Sequence, residues 1–441
     1  VDSLAGTEGL TNTDMGSVAN TDGLANTDSL TGATPDLTKG VDSLANTVTL
    51  GGITQGFNVV KKGLLPSGLL PTNELTTTPD VAGVDSLGGT DDLTTVVDPI
   101  TGTSSVTNSN TREPSEPVFP QKGVKDAPYS LSEAELREII YFPEEFTYGQ
   151  KQPVILIPGT GVYGGETFEH NWAKLLKDVD YADPLWLNIP KASLPDAQIN
   201  SEYVAYAINY VAGITNRNVS ILTYSQGGPN AQWALTFWPS TRNVVSNFFG
   251  VSADFRGTVM ANLLCVNLGG STGIGPCDPS VIQQEYTADY VKAMRKKDSG
   301  SAWVPTTTFY TGLFDEIVQP QGGSGGSGYR FDVRDVGVTN NQAQLVCPGK
   351  LAGSFYGHAA MLYNPITFAL VKDALINGGP GQVKRIDLDE VCPLYITPQL
   401  SLTDAILTSG TIILAGIRVL AYFPKYVTEP ALMAYVNNDV S

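Results

Sequence analysis

The stretch "ILTYSQGGPN", residues 221–230, decides the fold. Ile221, Leu222, Thr223 and Tyr224 are apolar or β-prone and read as the end of a strand, and Ser225 follows at once. Gly227 and Gly228 then allow a bend that side chains would crowd. Pro229 suits the first turn of a helix, where its missing N–H is harmless. A serine on such a strand-to-helix turn presents its hydroxyl above the end of a sheet. The nucleophile pattern for that arrangement is G-x-S-x-G, yet Thr223 stands where the first glycine belongs. Support for the turn therefore has to come from the rest of the chain.

Four segments repeat the strand signature. Residues 154–157 form a short apolar run ended by Pro158 and Gly159, as expected of a strand buried on both faces. "NVSILTYS" (218–225), "NFFGVSAD" (247–254) and "VPTTTFYTG" (304–312) are the others. Helical stretches lie between them, such as 203–211 and 230–237, the latter stopped by Pro239. Strands alternating with helices predict an α/β architecture, a mostly parallel sheet with helices on both faces.

Composition divides the 441 residues in two. Residues 1–113 are rich in Thr, Ser, Gly, Asp and Asn, with "VDSL" recurring at Val1, Val41 and Val84 and "ANTD" at Ala19 and Ala25. The spacing is irregular, so this is low complexity rather than a solenoid. Ordering it would cost about 1–2 kcal/mol per residue with little apolar surface in return, which predicts a disordered tail, either a propeptide or a glycosylated stalk. Lys61-Lys62 is its one dibasic pair, to be read as a processing site or as two surface lysines. All five tryptophans and all four cysteines fall in 114–441, which reads as one domain. The net charge is −18 with no block of Lys or Arg, which argues against nucleic-acid binding. Cys265, Cys277, Cys347 and Cys392 form no C-x-x-C pair, and with only two histidines a zinc site is not expected; no cofactor is called for. An even cysteine count points to disulfides and export, with free buried thiols as the alternative.

A nucleophilic serine needs a histidine to take its proton and a carboxylate to orient that histidine. On a sheet of this kind the chain order is Ser, acid, His. His170 precedes Ser225, which leaves His358, in the glycine-flanked "GSFYGHAAML". Asp315 directly follows the strand "VPTTTFYTG" and is the best-placed acid; Asp254, at the end of "NFFGVSAD", is the second candidate.

These blocks make the chain recognisable. "PGTG" (158–161), "TYSQGG" (223–228), "LTFWPS" (235–240), "FDEIVQPQ" (314–321), more loosely "GHAA" around His358, and "TEPALMAY" (428–435) resemble the Candida antarctica lipase B-like family of fungal lipases, which have the α/β-hydrolase fold. The resemblance covers nearly all of 114–441, and that family carries threonine in place of the first elbow glycine. It implies a secreted, monomeric lipase or carboxylesterase acting on triacylglycerols or other esters. Ser225 would be the nucleophile, His358 the base and Asp315 the orienting acid. Thr160 and the backbone N–H of Gln226 would form the oxyanion hole; Gln226 is also placed there by its position opening a helix. Tyr224, Asp254, Gln284, Ile317 and Val318 would line the substrate pocket, and Cys347 would pair with Cys392.

The chain also departs from the family. Cys265 and Cys277 bracket "VNLGGSTGIGP", a glycine-rich loop expected to be disulfide-tethered, as a flap at the pocket mouth or as a plain surface staple. "GGSGGSG" (322–328) lacks the Lys-Ser/Thr end of a phosphate loop and reads as a flexible loop. The apolar stretch 405–423 approaches membrane-span length but carries Arg418, which argues against an anchor; the resemblance implies a helix walling the substrate tunnel, and a plain core helix is the alternative. Two other functions use the same residues: acyl transfer to alcohols, and hydrolysis of cutin-like polyesters. From a different class, the domain could be the vestigial hydrolase part of a surface or adhesion protein.

Overall fold

The structure, a computed structural model, describes residues 96–268 and 276–438. The expectations for residues 1–95, the Lys61-Lys62 site included, and for the middle of the glycine-rich loop, 269–275, lie outside the described residues.

The strands are β1 (Ile140–Tyr141), β2 (Pro153–Ile157), β3 (Asp183–Leu187), β4 (Val219–Tyr224), β5 (Val245–Val251), β6 (Thr306–Tyr310) and β7 (Val338–Gln342). They form one seven-stranded sheet in the order β1-β3-β2-β4-β5-β6-β7. Only the β1–β3 pair is antiparallel. Every residue of β2, β3, β4 and β6 is buried, which explains the continuous apolar texture of β2; β4 buries Ser220 and Thr223 among its apolar residues. Alternate side chains feed two cores. Ile155, Ile157 and Ile221 pack under the helices Ala197–Thr215 and Gly227–Phe237, whereas Val154, Leu156 and Leu222 pack toward the helix Pro365–Asn377. The helix Ala197–Thr215 starts where Asp196 accepts the Gln198 N–H at 2.8 Å and stops at Asn216, in the left-handed region at φ 51°.

The strand order fixes where chemistry can occur. From β2 the chain crosses to β3 on one side, and β4 then pairs with β2 on the other side. The loops after β2 and β4 therefore leave the sheet in opposite senses and open a crevice at their carboxyl ends.

The packed domain begins before the expected boundary at residue 114. Residues 96–113, which composition groups with the tail, lie against the domain as a strap. The Thr103 carbonyl accepts from Trp186 Nε1 at 2.7 Å and from Asn188 Nδ2 at 3.0 Å, and Ser105 O takes a second bond from Asn188. Asn108 and Asn110 donate to Glu138 O, Arg137 O and Ile140 O, and the Tyr210 hydroxyl donates to Arg112 O. A Cβ on Gly165 would come within 2.5 Å of Thr103 O, so the strap and the helix Gly164–Phe168 are in backbone contact. Removing the strap deletes these hydrogen bonds, at about 0.5–1.5 kcal/mol each, and uncovers Trp186 and Asn188. A chain starting at residue 111 should therefore melt several degrees below one starting at residue 96, at roughly 2–4 °C per kcal/mol. Calorimetry of the two truncations checks this, and equal midpoints would mean that the strap contributes nothing.

Candidate active site

Ser225 follows β4 directly, at φ 53°, a left-handed conformation that costs a non-glycine residue about 1–2 kcal/mol. Its N–H is held by Val251 O at 3.0 Å, and the helix Gly227–Phe237 starts two residues later, with Gln226 as its N-cap. Two glycines make the turn possible. A Cβ on Gly159 would sit 2.8 Å from Ser225 Cβ, and one on Gly227 would sit 2.6 Å from Ile157 O. The loop after β2 and the turn after β4 therefore touch backbone to backbone, which brings Thr160 and Gln226 to the same crevice. Thr223, at the expected first-glycine position, is buried and pairs across the ladder with Gly250, with its hydroxyl on Phe249 O at 3.2 Å. Gly250 thus sits beside Thr223 on the neighbouring strand.

Asp315 follows β6 after a single 3-10 turn, Gly312–Phe314. Its two oxygens each lie 2.9 Å from His358 Nδ1. Oδ1 also accepts the N–H groups of Ile317 at 3.0 Å and Val318 at 2.7 Å. The carboxylate is thereby fixed by its own loop before it meets the histidine. His358 is 1% exposed, and its Nε2 has no hydrogen-bond partner among the described residues. Burial opposes a charge on the imidazole, but the charges of Asp315, Glu316 and Asp254 and the Asp315 hydrogen bond outweigh it and raise the pKa above 6.5.

Two residues that the sequence reading did not single out hold the histidine loop. Glu316 Oε2 accepts the His358 N–H at 2.8 Å, and Ser252 Oγ donates to His358 O at 3.0 Å. A Cβ on Gly357 would meet Glu316 Oε2 at 2.9 Å and displace that carboxylate from the His358 N–H. Glu316 was visible as the neighbour of Asp315; Ser252, at φ 49°, carries no sequence signal.

Tyr224 is buried, its ring centroid 5.0 Å from that of His358, and burial pushes its hydroxyl pKa well up. Asp254 is 1% exposed, and neither of its oxygens has a hydrogen-bond partner among the described residues; burial is the main cause that pushes it up to about 7. Of the two candidate acids, only Asp315 bonds the imidazole. Gln284 Nε2 lies 3.0 Å from Thr160 Oγ1 and also donates to Ser280 O. Ile317 is 37% exposed, whereas Val318 is buried. His170 takes no part in this constellation; its Nδ1 lies 3.8 Å from Asp404 Oδ1.

Cys265 is bonded to Cys277 and Cys347 to Cys392. Cys265 and Cys277 pack with Val96, Val281, Ile282, Val419 and Tyr422. The apolar stretch 405–423 forms most of the helix Leu402–Ala421, long and apolar enough by length and composition to cross a membrane. It is tied to the domain by Arg418, which pairs with Glu166 at 2.5 Å, and by Thr408, which accepts from Asn171. A Cβ on Gly161 would meet Ala415 Cα at 2.7 Å, so this helix lies against the loop that carries Thr160.

No family model matches the chain. Lipase B of Pseudozyma antarctica is 33% identical over 332 residues, spanning 73% of this chain and 86% of that protein. The crystal structure of Aspergillus fumigatus lipase B matches with a TM-score of 0.73 at 47% identity, covering 76% of this chain and 79% of that one. With its seven-stranded sheet and this similarity along most of both sequences, the chain belongs to the lipase B family and is a carboxylic-ester hydrolase of the α/β-hydrolase fold.

Proposed function

We propose that the protein is a secreted serine lipase or carboxylesterase that works through an acyl-enzyme. Ser225 is the nucleophile, His358 the base and Asp315 the residue that orients the base. The observation that carries this reading is the buried Asp315–His358 pair, whose Nε2 has no partner among the described residues, with the ring of Tyr224, the residue before the left-handed Ser225, 5.0 Å from the imidazole. Ser225 Oγ attacks the ester carbonyl carbon while its proton passes to Nε2. The oxyanion that forms is met by the N–H of Gln226, at the positive end of the helix Gly227–Phe237, and by the N–H and hydroxyl of Thr160. The protonated imidazole then gives its proton to the departing alkoxide, and water repeats the sequence to release the acid. Tyr224, Asp254, Gln284, Ile317 and Val318 are assigned to the pocket around the acyl chain.

Two disulfides fit an oxidising compartment, which supports export. We assign the catalytic domain to the packed region that starts at the strap, with the lipid or ester substrate as its partner and a monomer as the working unit. No cofactor is assigned. Hydrolysis of p-nitrophenyl esters from short to long chain, with the Ser225→Ala variant as control, tests the reading. Absence of hydrolysis across the series would favour the vestigial-domain alternative, and faster transfer to added alcohols than to water would favour acyl transfer.

The electrostatics make a separate prediction. The base works as neutral imidazole, so kcat/KM should rise with pH through an apparent pKa above 6.5, the direction of the His358 shift. Asp254 is one of the negative charges that raise it, and burial pushes Asp254 itself up to about 7. Asp254→Asn should therefore move the acid limb to lower pH while retaining most of the turnover at pH 8. A pH profile with an unmoved limb would show that Asp254 does not act on the imidazole.

A further inference from the structure

Beside the crevice, Lys191, Ala192 and Ser193 are three consecutive non-glycine residues at positive φ, 54°, 52° and 60°. Such a run persists only where its surroundings over-determine it. Its fastening comes from the strap. Asp98 Oδ1 accepts the Lys191 N–H at 2.5 Å, Asp98 Oδ2 lies 3.6 Å from Lys191 Nζ, and that ammonium also donates to Val96 O at 3.0 Å. On the far side of the turn, Asn200 Nδ2 holds Ser193 O at 2.9 Å.

The turn faces the loop after β2. Ala192 O accepts the N–H of Gly161 at 2.8 Å, while Gly161 O accepts from Arg418 Nη1 at 3.2 Å. The peptide groups on both sides of Gly161 are thus held, and the residue before it is Thr160. Asp98 Oδ1 takes a second bond at 2.7 Å from the hydroxyl of Tyr163, two residues beyond Gly161. Tyr163 in turn caps the helix Gly164–Phe168, where its N–H meets Glu166, the partner of Arg418. One carboxylate of the strap therefore clamps both the left-handed turn and the outgoing end of the loop that carries Thr160.

We propose that Asp98 is a positioning residue for ester hydrolysis: by locking the turn 191–193 and Tyr163 it fixes Gly161, and with it the oxyanion donors of Thr160. Asp98 touches neither substrate nor the reacting atoms. The proposal rests on the reading of Thr160 as an oxyanion donor. Small displacements of such donors are expensive, since a misplacement of about 1 Å costs roughly 10²-fold in rate. The Asp98→Ala variant, which keeps the rest of the strap, is expected to lose about tenfold in kcat with KM within about twofold.

The test uses the full chain, with rates expressed per Ser225 titrated by an organophosphate and measured well below the melting temperature. The decisive readout is the inhibition constant of a trifluoromethyl ketone. Ser225 adds to its carbonyl reversibly, and the resulting oxyanion occupies the same donors. In Asp98→Ala this constant should weaken by the same factor as kcat falls. Asp98→Asn should recover most of both, because its amide oxygen still accepts from the Lys191 N–H and the Tyr163 hydroxyl. An Asp98→Ala variant with wild-type kcat and inhibition constant, whatever its melting temperature, would overturn the proposal. So would equal losses in the Asn and Ala variants. Thr160→Val tests the underlying reading separately. If it weakens ketone binding and Asp98→Ala does not, only the clamp fails; if it leaves ketone binding unchanged, the Thr160 hydroxyl is not a donor, and a wild-type constant in Asp98→Ala as well removes the clamp on the Thr160 N–H.

Discussion

Ser225→Ala is expected to lower turnover of p-nitrophenyl butyrate by about 10⁶, with the melting temperature nearly unchanged. The size follows from the chemistry: without Oγ no acyl-enzyme can form, and His358 has no proton to take. The structural half follows from the turn. Alanine keeps the Cβ that Gly159 already accommodates, and it needs the same φ of 53° at about the same cost. The helix Gly227–Phe237 keeps its start, because Gly228 N–H bonds the backbone oxygen of residue 225 at 2.8 Å, not its side chain. A variant with a tenth of the activity, measured free of wild-type contamination, would place the nucleophile elsewhere.

Asp315→Asn is expected to cost about 10⁴ in kcat, for a reason specific to this loop. The N–H groups of Ile317 and Val318 both point at Oδ1. An asparagine here satisfies them by putting its amide oxygen in that place, which turns its NH₂ toward His358 Nδ1. A donor facing Nδ1 selects the tautomer with the proton on Nε2. That tautomer cannot accept the serine proton. The variant should fold normally, since every hydrogen bond of the loop is kept, and its acid limb should fall because the charge that raises the imidazole is gone. Asp254→Asn should cost less than tenfold at pH 8. The reverse ranking of the two variants would transfer the orienting role to Asp254.

What the sequence made legible follows physical signals of different strength. β2 is readable as a continuous apolar run and β4 as a largely apolar, β-prone one, and the turn is suggested by a serine two residues before a glycine pair, between strand and helix. β7, "VTNNQ", was not readable: it is a half-buried edge strand, paired on one side, with no apolar period to betray it. Asp315 is proposed as the acid from its place after β6, although a 3-10 turn intervenes. Chain order and strand context could rank it above Asp254 but not exclude the latter; the bond to Nδ1 distinguishes them. The strap was assigned to the tail because its Thr, Ser and Gly content is that of the tail. It packs through backbone carbonyls that meet Trp186 and Asn188, and carbonyls are the same in every sequence. Glu316 and Ser252 act on the backbone of His358, and such contacts leave no pattern in the spacing of residue types.

The Cys347–Cys392 bond has its own consequence, because its sequence separation of 45 residues encloses His358 and the helix Pro365–Asn377. The proposed base therefore hangs from a covalent ring, while Ser225 and Asp315 belong to the open chain. Closing a ring of this length removes conformational freedom from opened states worth about 4 kcal/mol in the chain-entropy model. The oxidised ring favours the folded arrangement around His358 over the unfolded chain by that amount, and reduction of the sulfurs removes it. How long the histidine stays in register with the serine is thus set by the redox surroundings as well as by packing.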